Sequence, residues 1–226
     1  MGSSDDKPVK RIREVHHSLK IAGVIVAEVV LLGIIGLSFW FQDLRYSLPT
    51  PRPNGWKAPK IGTNLSAGLN SSQVGNGRPT LFNFYNCDCP CSRFNLDHVR
   101  QLSKQFGQNI KFVIVLESGT VKEEQEVFKG LKLRATPYFD SDGKLARSLG
   151  VYATPQAVLT DSHERLVYRG NYNVSRYCND PRTEFVRLAL ESVTAGQPLP
   201  ALVKSSIPAY GCAIPTLMDP QNEGKS

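Results

Sequence analysis

Cysteine is scarce in this chain: 226 residues hold five, an odd number. An odd count excludes a fully paired disulfide framework within one chain, so at least one thiol stays unbridged, ligates something or pairs between molecules. Glycine-rich phosphate cradles are lacking too. The GLK and SDGK stretches have neither the glycines nor the strand-to-helix setting such cradles need, which excludes a flavin, nicotinamide or phosphate site of that kind. There is no internal repeat. The net charge is +7, but basic and acidic residues are interspersed, and the one dense basic group, Lys7 to Lys20, lies beside an apolar segment. Nucleic acid is therefore not an expected partner. The hydrophobic share of 41% suffices for one globular domain plus appendages.

What cysteine there is lies mostly in one place. In TLFNFYNCDCPCSR, Thr80 to Arg93, an apolar run leads directly into Cys87, Cys89 and Cys91, spaced C-x-C-x-C. Core packing does not explain the spacing, because alternate residues of an extended chain point in opposite directions. Redox chemistry, metal binding or a structural bridge remain.

Ile21 to Phe41 is almost wholly apolar, with Glu28 its one charge. As a helix it rises about 32 Å, matching a hydrocarbon core of roughly 30 Å. Trp40 and Phe41 suit the interfacial aromatic belt. The apolar run is long for a signal peptide, and no small-x-small cleavage site follows. The segment is expected to be a signal-anchor, a single span through residues 21–41. The basic flank places residues 1–20 in the cytoplasm and the rest in the periplasm or another extracytoplasmic space, outside the inner membrane, where disulfides persist.

Residues 42–77, with Pro49, Pro51, Pro53 and Pro59 and then a Gly/Ser/Asn-rich run, predict an extended linker. The part KIGTNLSAGLNSSQV is expected to hold a short strand or turn at the domain edge. Residues 78–196 read as alternating strands and helices, and 197–226 as a proline-rich tail. Thr80 to Tyr85 is a strand, and Arg93 to Phe106 has helical apolar spacing. Lys111 to Leu116 is a continuous buried strand. Val121 to Leu131 is helical. Tyr138 and Phe139 precede a DSDG turn. Gln156 to Thr160 and Leu166 to Arg169 form a hairpin. Pro181 to Val193 is a helix capped by Asn179 or Asp180. The order β-α-β-α-β-β-α implies an α/β domain, a sheet with helices on both faces.

A cysteine between a strand end and a helix start meets unsatisfied N–H groups and the positive end of the helix dipole, both of which favour a thiolate. Asp88 opposes that effect and Arg93 supports it.

With FNFYNCDCPC before a helix, then SDGKLARSLGVYATPQAVLTD and LVYRG, residues 78–193 resemble the thioredoxin-like superfamily. The resemblance is closest to its membrane-tethered, exported thiol–disulfide oxidoreductases and related redoxin domains. It implies a central mixed sheet and no cofactor. Phe84 and Tyr85 match the strand end, Cys89 the nucleophile, Pro90 the motif proline and Cys91 the resolving cysteine. Thr154 and Pro155 match the cis-proline pair, which in that family leaves the Thr154 backbone open to a partner's extended chain. Gln156–Thr160 and Leu166–Arg169, ending in Gly170, match the paired strands that follow. Protein thiols or disulfides are the implied partners. The motif departs from the family in having one residue between Cys89 and Cys91 instead of two, and Asp88 where tryptophan is frequent. Cys87 with Cys91 is thus an alternative working pair.

Cys178, in RYCNDP, reads as a small buried residue at a helix start. Cys212, in SIPAYGCAIP, is a resolving thiol or a bridge to Cys178. Three other functions compete. One is copper or soft-metal handling by Cys87, Cys89 and Cys91, with His98 or His163 added, though both histidines lack motif spacing and read as surface residues. The second is a redoxin-type peroxidase, against which stands the missing proline–threonine–cysteine pattern. The third is a tethered binding domain without catalysis.

Overall fold

Thr80–Tyr85 has apolar side chains on both faces, and such a strand is stable only when covered on both sides. In the computed structural model, which describes residues 6–44, 48–66, 69, 77–117, 121–175, 178, 180–204 and 208–218, this segment is β1, buried at every position. Around it lie β2 (Lys111–Leu116), β3 (Thr136–Phe139), β4 (Ala153–Thr154), β5 (Gln156–Thr160) and β6 (Leu166–Gly170). The five-stranded sheet has the order β3-β2-β1-β5-β6. β1 is parallel to β2, with Thr80 opposite Lys111 and Tyr85 opposite Leu116. β2 is parallel to β3, and β5 is antiparallel to both β1 and β6. Pro137 lies in the edge strand β3, where a missing N–H is tolerated.

Alternation along β1 builds two cores. Leu81 and Tyr85 face a layer completed by Leu102 and Phe106 of α2 (Pro90–Phe106), Leu131 of α3 (Val121–Leu131) and Leu190 of α5 (Phe185–Thr194). Phe82 and Phe84 face the other layer, with Leu145 and Leu149 of α4 (Lys144–Leu149) and Ile214. The result is a thioredoxin-like α/β fold with helices on both faces of a mixed sheet. Asn83 is a polar residue within β1, and its Oδ1 accepts a 2.7 Å hydrogen bond from the hydroxyl of fully buried Tyr172.

Three expected boundaries shift. α2 begins at Pro90, not Arg93, because proline fits the first helical position, where no N–H is needed. The helix expected over Pro181 to Val193 is split. The Asp180 carboxylate accepts from the Arg182 N–H and starts a 3-10 turn, Pro181–Thr183; Glu184, at ψ 78°, leaves the helical region before α5 begins. The cap alternative Asn179 lies outside the described residues. The proline-rich tail carries α6 (Ala201–Lys204), β7 (Cys212–Ala213) and α7 (Pro215–Met218), with Ile214 fully buried between the last two.

The chain divides into two compact units, Met1–Arg45 and Tyr46–Ser226. The first holds α1 (Asp6–Phe39) and a π-helical turn, Trp40–Leu44. Its stretch Leu19–Gln42, of mean hydropathy 2.5, is long and apolar enough to cross a membrane. The second unit includes most of the segment expected as an extended linker. Its prolines extend the chain, but Thr50 and Leu65 are buried and Trp56 Nε1 donates to the Gly150 carbonyl at 3.2 Å. The expected edge strand is a single bridge, Asn64 with Arg165. Most of the Gly/Ser/Asn-rich run, 67–68 and 70–76, lies outside the described residues.

Candidate active site

β1 delivers the chain to a tight turn at Asn86. The Asn86 side-chain oxygen accepts the Asp88 N–H at 2.8 Å, and its carbonyl accepts the Cys89 N–H at 3.2 Å. This is an Asx turn, the local structure an asparagine two residues before a chain reversal favours. It places Cys89 at the N-cap of α2, with extended backbone (φ −84°, ψ 114°) and Pro90 next. Cys89 is 1% exposed.

Its sulfur lies 3.3 Å from the carbonyl oxygen of Thr154, to which the thiol form donates. The Thr154–Pro155 peptide is cis. The thiols of Cys212 and Cys91 donate to the Cys89 sulfur, and these two contacts, Cys212 first, overcome burial and bring its pKa down to about 2. The Ser92 N–H, in the first turn of α2, adds to the effect without forming a complete side-chain cap. Neither Asp88 nor Arg93, both exposed, decides the outcome, since solvent screens them.

Cys89, Cys91, Cys212, Thr154 and Pro155 are therefore brought together. Cys87 is half-buried beside them, packed on the Leu81 layer of the core and close enough to Tyr85 to act on its phenol.

Cys212 reaches the site through β7, which pairs antiparallel with β4: Thr154 opposes Cys212 and Ala153 opposes Ala213. This corrects the expectation of a Thr154 backbone left open, because the chain's own tail occupies that edge. It also corrects the alternative bridge between Cys178 and Cys212. No disulfide joins any of the five cysteines, and the Cys178 sulfur lies instead 3.6 Å from Thr183 Oγ1. Cys178 is half-buried, near Tyr210.

The histidines separate. His163 is exposed, as expected. His98 is not a surface residue: its ring packs edge-on against Tyr172 at 5.8 Å, and burial lowers its pKa despite Glu184 at 3.9 Å. Among the described residues, no group of three or more His, Cys, Asp or Glu side chains is placed to hold a metal ion. The trio Cys87, Cys89 and Cys91 thus gives the soft-metal reading no geometric support.

Sequence reading missed Asn86, Gly211 and Tyr210. Asn86 was detectable as an Asx-turn signature. Gly211, at φ +109°, and Tyr210, which is buried with its ring near Cys91, were not, because only the folded tail brings them to the site.

A family model described as "Domain of unknown function (DUF6436)" matches residues 60–214, a span that takes in every residue of this site. The chain belongs to the DUF6436 family. This DUF6436 protein is 33% identical over 101 residues to the thiol:disulfide interchange protein DsbE of Escherichia coli (strain K12), a match covering 41% of the chain and 49% of that relative. The chain thus spans about half the length of the curated relatives it matches. Among solved structures it is similar to an uncharacterized conserved protein from Geobacillus kaustophilus, with TM-score 0.58 and 22% identity, covering 74% of this chain and 97% of that one. A hypothetical protein from Sinorhizobium meliloti 1021 matches at TM-score 0.58 and 20% identity, covering 70% and 95%. The DUF6436 domain here is thioredoxin-like and related to thiol:disulfide interchange proteins.

Proposed function

We propose that this protein is a membrane-anchored thiol–disulfide oxidoreductase with Cys89 as its reactive sulfur. The observation that carries the reading is the Cys89 sulfur held at the start of α2 between two other thiols, beside Thr154 and Pro155. A sulfur so placed is a nucleophile when reduced and a good leaving group when bridged. A second cysteine in contact takes the other half of the exchange. Cys91 is the partner the motif suggests, Cys212 the one the fold adds, and Cys87 sits in reserve beside Tyr85.

The depressed pKa also suggests a direction. It stabilises the reduced form relative to the disulfide, so the oxidised site accepts electrons from partner thiols. Partners are proteins carrying thiols or disulfides. The Leu19–Gln42 helix serves as a single membrane anchor with the N-terminus cytoplasmic and the thioredoxin-like domain in the periplasm, where such exchange is sustained.

The test uses the full chain in detergent micelles with a reduced dithiol peptide. The oxidised protein converts the peptide to its disulfide, and Cys89→Ser abolishes the transfer. Undiminished transfer by Cys89→Ser would sink the proposal.

A further inference from the structure

The tail of this domain is built into the site. Gly211 has φ +109°, and a Cβ there would lie 2.1 Å from the Thr154 carbonyl oxygen, so only glycine lets the tail backbone approach that closely. On one side of the approach, Thr50 N–H donates to the Ala209 carbonyl at 2.7 Å and Thr50 Oγ1 to the Gly211 carbonyl at 3.3 Å. On the other, Ile214 N–H donates to the Tyr152 carbonyl at 3.1 Å, with the Ile214 side chain fully buried. Cys212 hangs between these two fixed points, opposite Thr154 and in contact with Cys89.

Resting on the oxidoreductase reading, we propose that Cys212 is the disulfide partner of Cys89, presented by a tail strand that sits where a partner's chain would pair.

The geometry disfavours the nearer candidate. Cys91 is fully buried in the first turn of α2, and only Pro90 separates it from Cys89. Its thiol also reaches the Cys89 sulfur, but a bridge between these two would lie wholly below the surface, since both are buried. Cys212 approaches from a separate strand and is half-buried, so a bridge to it lies within a partner's reach.

The exchange balances as follows. A partner thiolate attacks the Cys89 sulfur of the Cys89–Cys212 disulfide, the Cys89–Cys212 bond breaks, and Cys212 leaves with the electron pair and takes up a proton. The partner's second thiol loses its proton to solvent and attacks its own sulfur in the mixed disulfide, releasing Cys89 as a thiolate. Two electrons have passed from the partner's dithiol to the chain. Another disulfide restores the bridge by the reverse steps. The ladder of β4 and β7 is only two residues long, so a partner strand replaces it like for like.

Oxidised glutathione tests this on the full-length reduced protein, followed by tryptic mapping without reduction. The expected product links peptide 61–93 to peptide 205–225, and Cys91→Ser preserves the link. In Cys212→Ser, a glutathione adduct on Cys89 persists about tenfold longer than in the wild type. A bridge within peptide 61–93, a link through Cys178, or an adduct that clears at the wild-type rate in Cys212→Ser overturns the proposal but leaves Cys89 as the reactive sulfur. If neither an adduct nor a bridge forms at Cys89, both readings fall. The wild-type map needs no variant, so the test does not depend on a mutant folding.

Discussion

Thr154 and Cys212 oppose each other in an antiparallel ladder, so the backbone edge next to Pro155 is filled by the chain's own tail. That one pairing ties together the acidity of Cys89, the need for Gly211 and the placement of the fifth cysteine.

The first consequence is a thiolate that survives acid. Absorbance of the reduced protein at about 240 nm, which reports thiolate, should persist below pH 5 and vanish in Cys89→Ser. In Cys212→Ala, which removes the foremost donor, the signal should titrate at higher pH. The folded pKa lies below the unfolded one. The stabilisation is therefore complete above the unfolded value and is lost as pH falls through the folded value. Reduced wild type should exceed Cys89→Ala in stability by more at pH 8 than at pH 4. Equal differences at the two pH values would contradict the assignment.

The same stabilisation of the reduced form sets the potential. Equilibration with glutathione buffers should give a value less negative than about −200 mV, on the oxidising side of the thioredoxin range. A value near −270 mV would mean that the thiolate contributes little.

Gly211→Ala should detach the tail. Both the positive φ and the Thr154 carbonyl oppose a side chain at this position, at a cost of about 1–3 kcal/mol. The Thr154 and Ile214 amides should lose hydrogen-exchange protection while those of β1 keep theirs. Unchanged protection throughout would refute the close approach.

Glu117 provides a control away from the sulfur chemistry. It is buried at the end of β2, neither carboxyl oxygen has a hydrogen-bond partner, and desolvation, then Asp140, raises its pKa. A raised carboxyl pKa favours the folded state below the unfolded value and penalises it as pH rises through the folded value. Glu117→Gln should therefore stabilise the protein by about 1–2 kcal/mol at pH 8 and by little at pH 4, as read by chemical denaturation. A loss of stability at pH 8 would show that the charge is compensated.

Tyr172→Phe should destabilise by about 1–3 kcal/mol, because it leaves the buried Asn83 oxygen without its donor. Thermal melting measures the loss, and an unchanged midpoint would show that the bond contributes nothing.

The sheet was legible because its strands are short apolar runs whose pattern is local. Thr80–Tyr85, Lys111–Leu116 and Gln156–Thr160 have the bounds expected of them. Cys89, Pro90 and Pro155 were legible through a family pattern, and so was the cis Thr154–Pro155 bond. What stayed hidden is long-range. Cys212 lies 123 positions beyond Cys89, and nothing in AYGCAIP states that its backbone pairs with Thr154. His98 looked like a surface residue because its burial depends on Tyr172, whose position the hairpin and the turn after it decide. The linker was misread for a related reason. Proline density reports extension, and an extended chain can lie against a domain as readily as leave it.

That misreading bears on how a soluble fragment should be cut. A fragment starting at Arg78 keeps every strand of the main sheet and all five cysteines, yet it discards Thr50, Trp56 and Leu65. The segment around Pro49 and Thr50 clamps Ala209 to Gly211 from outside, so its removal frees the strand bearing Cys212. A fragment opened at Leu48 keeps the clamp. Activities measured on the two would differ, in part through the seating of one distant cysteine, although their catalytic loops are identical.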